Sequence, residues 1–222
     1  MKAMILAAGR GTRMGTLTDD TPKPLLTIAG KTLIEYHLEA LAAMDIREVV
    51  INVSYRASQI MDYLGDGQRW GVSIAYSHEP KALETAGGIH HALPLLGDQP
   101  FLVVNADVFL ARGYPELSPL NGDDQAHLWL TDNPDHHPNG DFALYQGRIA
   151  RSQPRFTFTG LSILSPSLFA DMQPGPLPLL PVLLKAIEAD RVSGSLLAGW
   201  LDVGTPQRRQ QAQHLVQARM SS

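Results

Sequence analysis

The sequence predicts an α/β fold, a Rossmann-like three-layer α/β/α arrangement around a mainly parallel, mixed central sheet. Two observations carry this. In the first half, apolar runs rich in β-branched residues alternate with helical patterns, the mark of right-handed βαβ units with helices on both sheet faces. In the second half, strand-like runs follow one another without long helices between them, which extends the sheet in an antiparallel or mixed sense.

Taken in order, residues 3–7, 49–53, 72–76 and 101–104 are the strands of the first half. Between them, residues 32–44 place Ile34, Leu38 and Leu41 on one helical face, and 57–64 and 87–96 supply the next two crossovers. Residues 127–131, 142–145 and 157–163 are the later strands. The turn-rich stretch 133–139 and the stretch 173–181, which carries four Pro, read as loops. A last helix over 206–220 starts with Pro206 behind Thr205 as N-cap.

With 222 residues the chain fits one domain, and 44% hydrophobic against 18% charged residues supports a packed core. Lys and Arg number 18 against 22 acidic residues, so there is no basic excess to hold a nucleic acid and any phosphate site must be local. The absence of Cys removes disulfides, zinc–thiolate sites and thiol nucleophiles, and a cytoplasmic location is the expectation. No apolar run is long enough to span a membrane or to act as a signal peptide. No hexapeptide repeat announces a β-helix domain.

The chemistry sits in Leu6-Ala7-Ala8-Gly9-Arg10-Gly11-Thr12-Arg13-Met14, followed by Pro22-Lys23-Pro24-Leu25-Leu26. A dinucleotide fingerprint would need Gly at Met14, and a P-loop ending at Gly30-Lys31-Thr32 would need Gly at Leu25. What remains is a loop of small residues whose N–H groups can approach oxyanions, flanked by the cations Arg13 and Lys23. By itself a Gly-x-Gly is equally an ordinary strand-to-helix turn. Asp107, just past the strand 101–104, lies where open α/β sheets bind ligands, though an Asp there is also a common turn former. The adjacent pairs His90-His91 and His136-His137 lack metal-ligand spacing, and the second pair lies in the turn-rich stretch 133–139.

The whole string is more specific than its parts. Gly-x-Gly-Thr-Arg-Met with Pro-Lys-Pro-Leu-Leu resembles the signature of the sugar-nucleotide pyrophosphorylases, nucleotidyltransferases that join a nucleoside triphosphate to a sugar 1-phosphate. The resemblance continues through Glu79 to Gly88 (a base-binding segment), Asn105-Ala106-Asp107, and Trp200-Leu201-Asp202-Val203-Gly204-Thr205. It implies the nucleotide-diphospho-sugar transferase fold, with a nucleotide-binding half (1–110) and a sugar-phosphate-binding half (111–222). Within the family the likeness is to the short uridylyltransferases of bacterial peptidoglycan recycling, implying UTP and N-acetylmuramate 1-phosphate as substrates. Guanylyl or thymidylyl transfer to another hexose 1-phosphate, or a catalytically silent sugar-nucleotide-binding subunit, are the competing readings.

The resemblance further implies Mg²⁺ held by Asp107 and Asp202, Lys23 on the α-phosphate and Arg13 on the departing pyrophosphate. It implies nucleotide contacts from Ala8, Gly9, Gly11, Thr12, Arg13, Lys23, Glu79, Leu83, Thr85, Ala86 and Gly87. Acceptor contacts fall on Asn105, Gly140, Gln153, Thr159 and Gly160. Two departures stand out: Glu84 replaces a Gly common in relatives, and Gln153 stands where many carry Lys. A selective muramate site would offer the lactyl carboxylate a cation, for which Arg151 and Arg155, then Arg148, are the candidates. Oligomeric state is left open.

Overall fold

The computed structural model describes residues 1–220. In chain order its elements are β1 (Ala3–Leu6), β2 (Thr27–Ile28), β3 (Lys31–Thr32), α1 (Leu33–Ala43), β4 (Glu48–Val53), α2 (Ala57–Leu64), β5 (Ser73–His78) and α3 (Glu84–Leu96). Then come β6 (Phe101–Asn105), β7 (Val108–Leu110), β8 (Ala126–Asp132), β9 (Ala143–Tyr145), β10 (Arg148–Ala150) and β11 (Phe156–Leu164). The chain continues with α4 (Leu179–Glu188), β12 (Val192–Leu196), β13 (Trp200–Asp202) and α5 (Pro206–Met220).

Nine strands form one sheet in the order β5-β4-β1-β6-β11-β8-β12-β10-β9. The first four are mutually parallel, as the βαβ alternation requires. At β11 the sense reverses, because β11 runs antiparallel to both β6 and β8. The mixed sheet expected of the second half is therefore present. Side chains alternate between two apolar layers, with Ala3, Ile5, Val49 and Ile51 facing α1 and α2. Met4 and Val50 face α3 and α4 on the opposite side.

Local signals explain the helix ends. Glu35 accepts a hydrogen bond from the Thr32 N–H at 2.8 Å, closing the first turn of α1. The Thr205 hydroxyl accepts the Arg208 N–H at the start of α5, as its capping role required. Several elements differ from the sequence reading, the short strands β2, β3, β7 and β10 among them, and two others have a clear physical reason. α4 begins inside the Pro-rich stretch 173–181, because Pro181 falls in its first turn, where no intrahelical N–H is needed. β12 was hidden by its Ser-Gly-Ser centre and exists because it pairs with β8.

One core residue titrates. His37 on α1 is buried, its Nδ1 lies 2.8 Å from the Tyr114 hydroxyl, and burial pushes its pKa down to about 4. The unfolded chain, with an ordinary imidazole near 6.5, binds more protons through the window between these values, so stability is full above it and falls as pH drops through it. Comparing urea midpoints at pH 7 and pH 4.5, His37→Asn should show a smaller acid loss than the parent, the difference being on the order of a few kcal/mol. Equal losses in both proteins would remove His37 from the acid response.

Candidate active site

The carboxyl ends of β1, β4 and β6 open onto a cavity of about 350 Å³, the position predicted for ligands in an open α/β sheet. Ala8, Gly9, Gly11, Thr12 and Arg13 line it from the loop after β1, and Lys23 closes the same side. Lys23 is not a solvated surface lysine. It is buried to 7% exposure, and its Nζ donates to Asp107 Oδ2 at 2.5 Å. Gly11 makes this approach possible: its φ is +69°, and a Cβ there would lie 3.1 Å from the Lys23 Cβ.

The wall formed by residues 79–87 divides into lining and scaffold. Glu84 and Thr85 face the cavity, and Glu84 holds φ +58°, a left-handed geometry that Gly would adopt without cost. Glu79 also borders the cavity, but its carboxylate is engaged: Oε1 accepts from Asn52 Nδ2 at 2.7 Å and Oε2 from the Leu83 N–H at 2.9 Å. Asn52 Oδ1 in turn accepts the Ala7 N–H, tying the wall to β1. Leu83, Ala86 and Gly87 do not line the cavity. The Ala86 and Gly87 N–H groups donate to the Leu177 carbonyl, and the Leu83 carbonyl accepts the Leu177 N–H, so these three hold the wall against the 175–177 segment.

Asp107 and Asp202, far apart in the chain, meet through the two-stranded β7–β13 ribbon. Asp202 pairs with Val108, and the Val203 N–H donates to the Asp107 carbonyl at 2.8 Å. Trp200 Nε1–H donates to the Thr159 carbonyl and anchors the ribbon to β11. Three basic side chains gather on Asp202 Oδ2: Arg208 at 2.7 Å, Arg13 at 3.8 Å and His136 at 3.9 Å. Burial, then the Arg208 charge, lowers the His136 pKa, so its neutral Nε2 accepts the Arg208 guanidinium at 2.6 Å. Asp202 Oδ1 is buried and has no hydrogen-bond partner among the described residues.

A second cavity of about 240 Å³ adjoins the first and shares Leu6, Thr85 and Asn105 with it. Of the predicted acceptor residues, Asn105 and Gly160 line it and three do not. Gln153 is exposed on a turn with φ +52°, away from either cavity. Thr159 is buried and spends its hydroxyl on the Trp129 carbonyl. Gly140 packs beneath the rim, where a Cβ would lie 2.6 Å from Asn133 Oδ1. The proposed carboxylate cations also fall elsewhere: Arg148 is bound to Asp124 and Asp190, and Arg151 and Arg155 are exposed and line neither cavity.

Residues 2–142 match the family described as Nucleotidyl transferase. The N-acetylmuramate alpha-1-phosphate uridylyltransferase of Neisseria meningitidis serogroup B is 50% identical over 98% of this chain and 99% of its own length. The chain belongs to the nucleotidyl transferase family. Its similarity to a second protein of that description, from Caulobacter vibrioides, is 36% over 93% of each chain. The crystal structure of a putative glucose-1-phosphate thymidylyltransferase from Bacillus anthracis shares the fold, with TM-score 0.83 over 97% of this chain and 94% of that one at 22% identity.

For this member of the nucleotidyl transferase family, sequence reasoning missed Asn52, Arg208 and the α4 residues Leu179, Leu180 and Leu183, which line the second cavity. Asn52 carried a signal, being a lone polar residue within the apolar run 49–53. Arg208 carried none, since its partner lies outside its helix.

Proposed function

We propose that this chain joins UTP to N-acetylmuramate 1-phosphate, giving UDP-N-acetylmuramate and pyrophosphate, and serves peptidoglycan recycling in the cytoplasm. The observation that carries the reading is that Lys23, Arg13 and Asp107 line one cavity, with Asp202 held against Arg13 beside it, and that a second cavity adjoins the first, giving room for two substrates. Similarity to two uridylyltransferases along nearly the whole chain supports it. An acceptor phosphate oxygen attacks the α-phosphorus, and the bond to the bridging oxygen breaks as pyrophosphate leaves in line. The second pKa of a phosphate monoester is about 6, so the nucleophile arrives charged and needs no general base.

Catalysis then consists of positioning and charge neutralisation. Lys23, preset against Asp107, meets the α-phosphate; Arg13 meets the departing pyrophosphate; the 8–12 loop holds the triphosphate. Asp107 and Asp202 fit Mg²⁺, because both are oxygen donors and the orphaned Asp202 Oδ1 lacks a partner. Such an ion supplies further neutralisation of phosphate charge when bound.

Pyrophosphate release with Mg²⁺, each nucleoside triphosphate and a panel of sugar 1-phosphates tests the reading. A site that pairs with the lactyl carboxylate should favour the muramate over N-acetylglucosamine 1-phosphate by roughly 10²-fold or more in kcat/KM. Equal or better use of N-acetylglucosamine 1-phosphate would sink the muramate assignment and leave nucleotidyl transfer standing. Preference for GTP or dTTP would move the chain to another donor class.

A further inference from the structure

Asp141 is the one charged side chain among the residues lining the second cavity. The rest of the lining is mostly apolar, including Val103, Phe142, Phe158, Leu179, Leu180 and Leu183, and the first cavity shares Thr85 and Asn105 with it. A carboxylate beside such a lining must be held and solvated by something. Two donors hold it from within the fold: the Phe158 N–H on Oδ2 at 2.8 Å and His137 Nε2–H on Oδ1 at 3.0 Å. The backbone around it is equally constrained, because the Asp141 N–H donates to the Phe156 carbonyl at 2.8 Å and the His137 N–H to Pro134. Asn133 closes the loop by donating to the Pro138 carbonyl and accepting from Thr157.

An ionised carboxylate offers about four acceptor directions, and the fold uses two. The side chain is still 36% exposed, so the remaining lone pairs are open at the cavity. We propose that Asp141 selects the acceptor: its carboxylate accepts hydrogen bonds from hydroxyls of the sugar whose apolar face rests on Phe158 and Leu180. This rests on the sugar 1-phosphate reading above and adds a specificity residue to it. Charge sets which hydroxyls these are. An acceptor bearing its own carboxylate must turn that group away from Asp141; with phosphate at C1, the acetamido group at C2 and the lactyl ether at C3, the free hydroxyls are those at C4 and C6, and C6 lies farther from the lactyl group.

The competing role is a staple for the 133–140 loop, and substrate kinetics separate the two. Asp141→Asn keeps an oxygen for the Phe158 N–H but loses the charge. It should raise the acceptor KM about 10- to 100-fold while leaving the UTP KM within about twofold. The wild type should also lose kcat/KM on the 4-deoxy or the 6-deoxy acceptor, and that loss should shrink in Asp141→Asn, the coupling of a double-mutant cycle. His137→Ala, which spares the Phe158 contact, should show the same pattern more weakly.

An unchanged acceptor KM, equal rises for both substrates, or a deoxy loss of the same size in wild type and variant would overturn the proposal. Should the variants fail to fold, wild-type indifference to both deoxy acceptors overturns it by itself, and a loss on one of them supports it. A wild type that turns over no sugar 1-phosphate with UTP would overturn the functional reading as well, whereas normal turnover with an insensitive Asp141→Asn would overturn this inference alone.

Discussion

Lys23→Ala is expected to lower turnover by a factor of about 10² to 10³, the usual cost of removing one preset stabiliser of transition-state charge. The reason is geometric. Lys23 is nearly buried, its amine is fixed at 2.5 Å from Asp107, and it borders the cavity, so it meets the phosphate without first being ordered. The substitution should also cost stability. Removing the amine leaves Asp107 without its cation, and a charge-assisted hydrogen bond of this kind contributes about 1.5–3 kcal/mol. Lys23→Met, which retains the apolar stem, separates the two effects. Both variants should lose turnover alike at saturating UTP, with Met losing less in thermal melting. Normal turnover in a folded Lys23→Met protein would take the lysine out of the mechanism.

Asp107→Asn and Asp202→Asn are each expected to weaken activity and to raise the Mg²⁺ concentration needed for half-maximal rate, because an amide keeps the shape and loses the charge that would hold the ion. The two should differ in kind. Asp107 also orients Lys23, so its loss should lower turnover even at high Mg²⁺. Asp202 neutralises Arg208 and Arg13, and its orphaned Oδ1 lies where a Cβ on residue 204 would come within 2.6 Å, so Gly204 leaves that oxygen its room. Its variant should be rescued in part by excess Mg²⁺. Titration of activity against Mg²⁺, together with EDTA treatment of the wild type, checks both. Full turnover in excess EDTA would rule out the two-aspartate site.

Much of the nucleotide side was legible in the sequence, since its information is local. The alternation of β-branched runs with amphipathic helices specified β1, β4, β5 and β6, and in a parallel sheet the carboxyl ends of such strands fall on one edge. That periodicity alone puts the 8–13 loop and Asp107 on the same edge of the sheet. The motif around Lys23 identified its segment. It did not reveal that the side chain is buried, because burial depends on Gly11 leaving room and Asp107 supplying charge.

The acceptor side was much less legible. Thr159, Gly140 and Gln153 were expected from the resemblance alone, yet Thr159 donates to the Trp129 carbonyl, Gly140 packs against Asn133, and Gln153 is exposed. Asp141, beside Gly140 and equally visible in the sequence, is the one that faces the cavity. What the sequence by itself determined was the fold class, the strands and crossover helices of the parallel half and the chemical character of its loops, all of which follow from periodicity and residue type within short windows. Only the tertiary structure decided that β7 and β13 bring Asp107 to Asp202, that α4 walls the second cavity, and which polar side chains are left without a partner in the fold. A hydrogen-bonding group serves either the fold or a ligand according to the partner that faces it, and that partner is chosen by long-range pairing that no local pattern encodes.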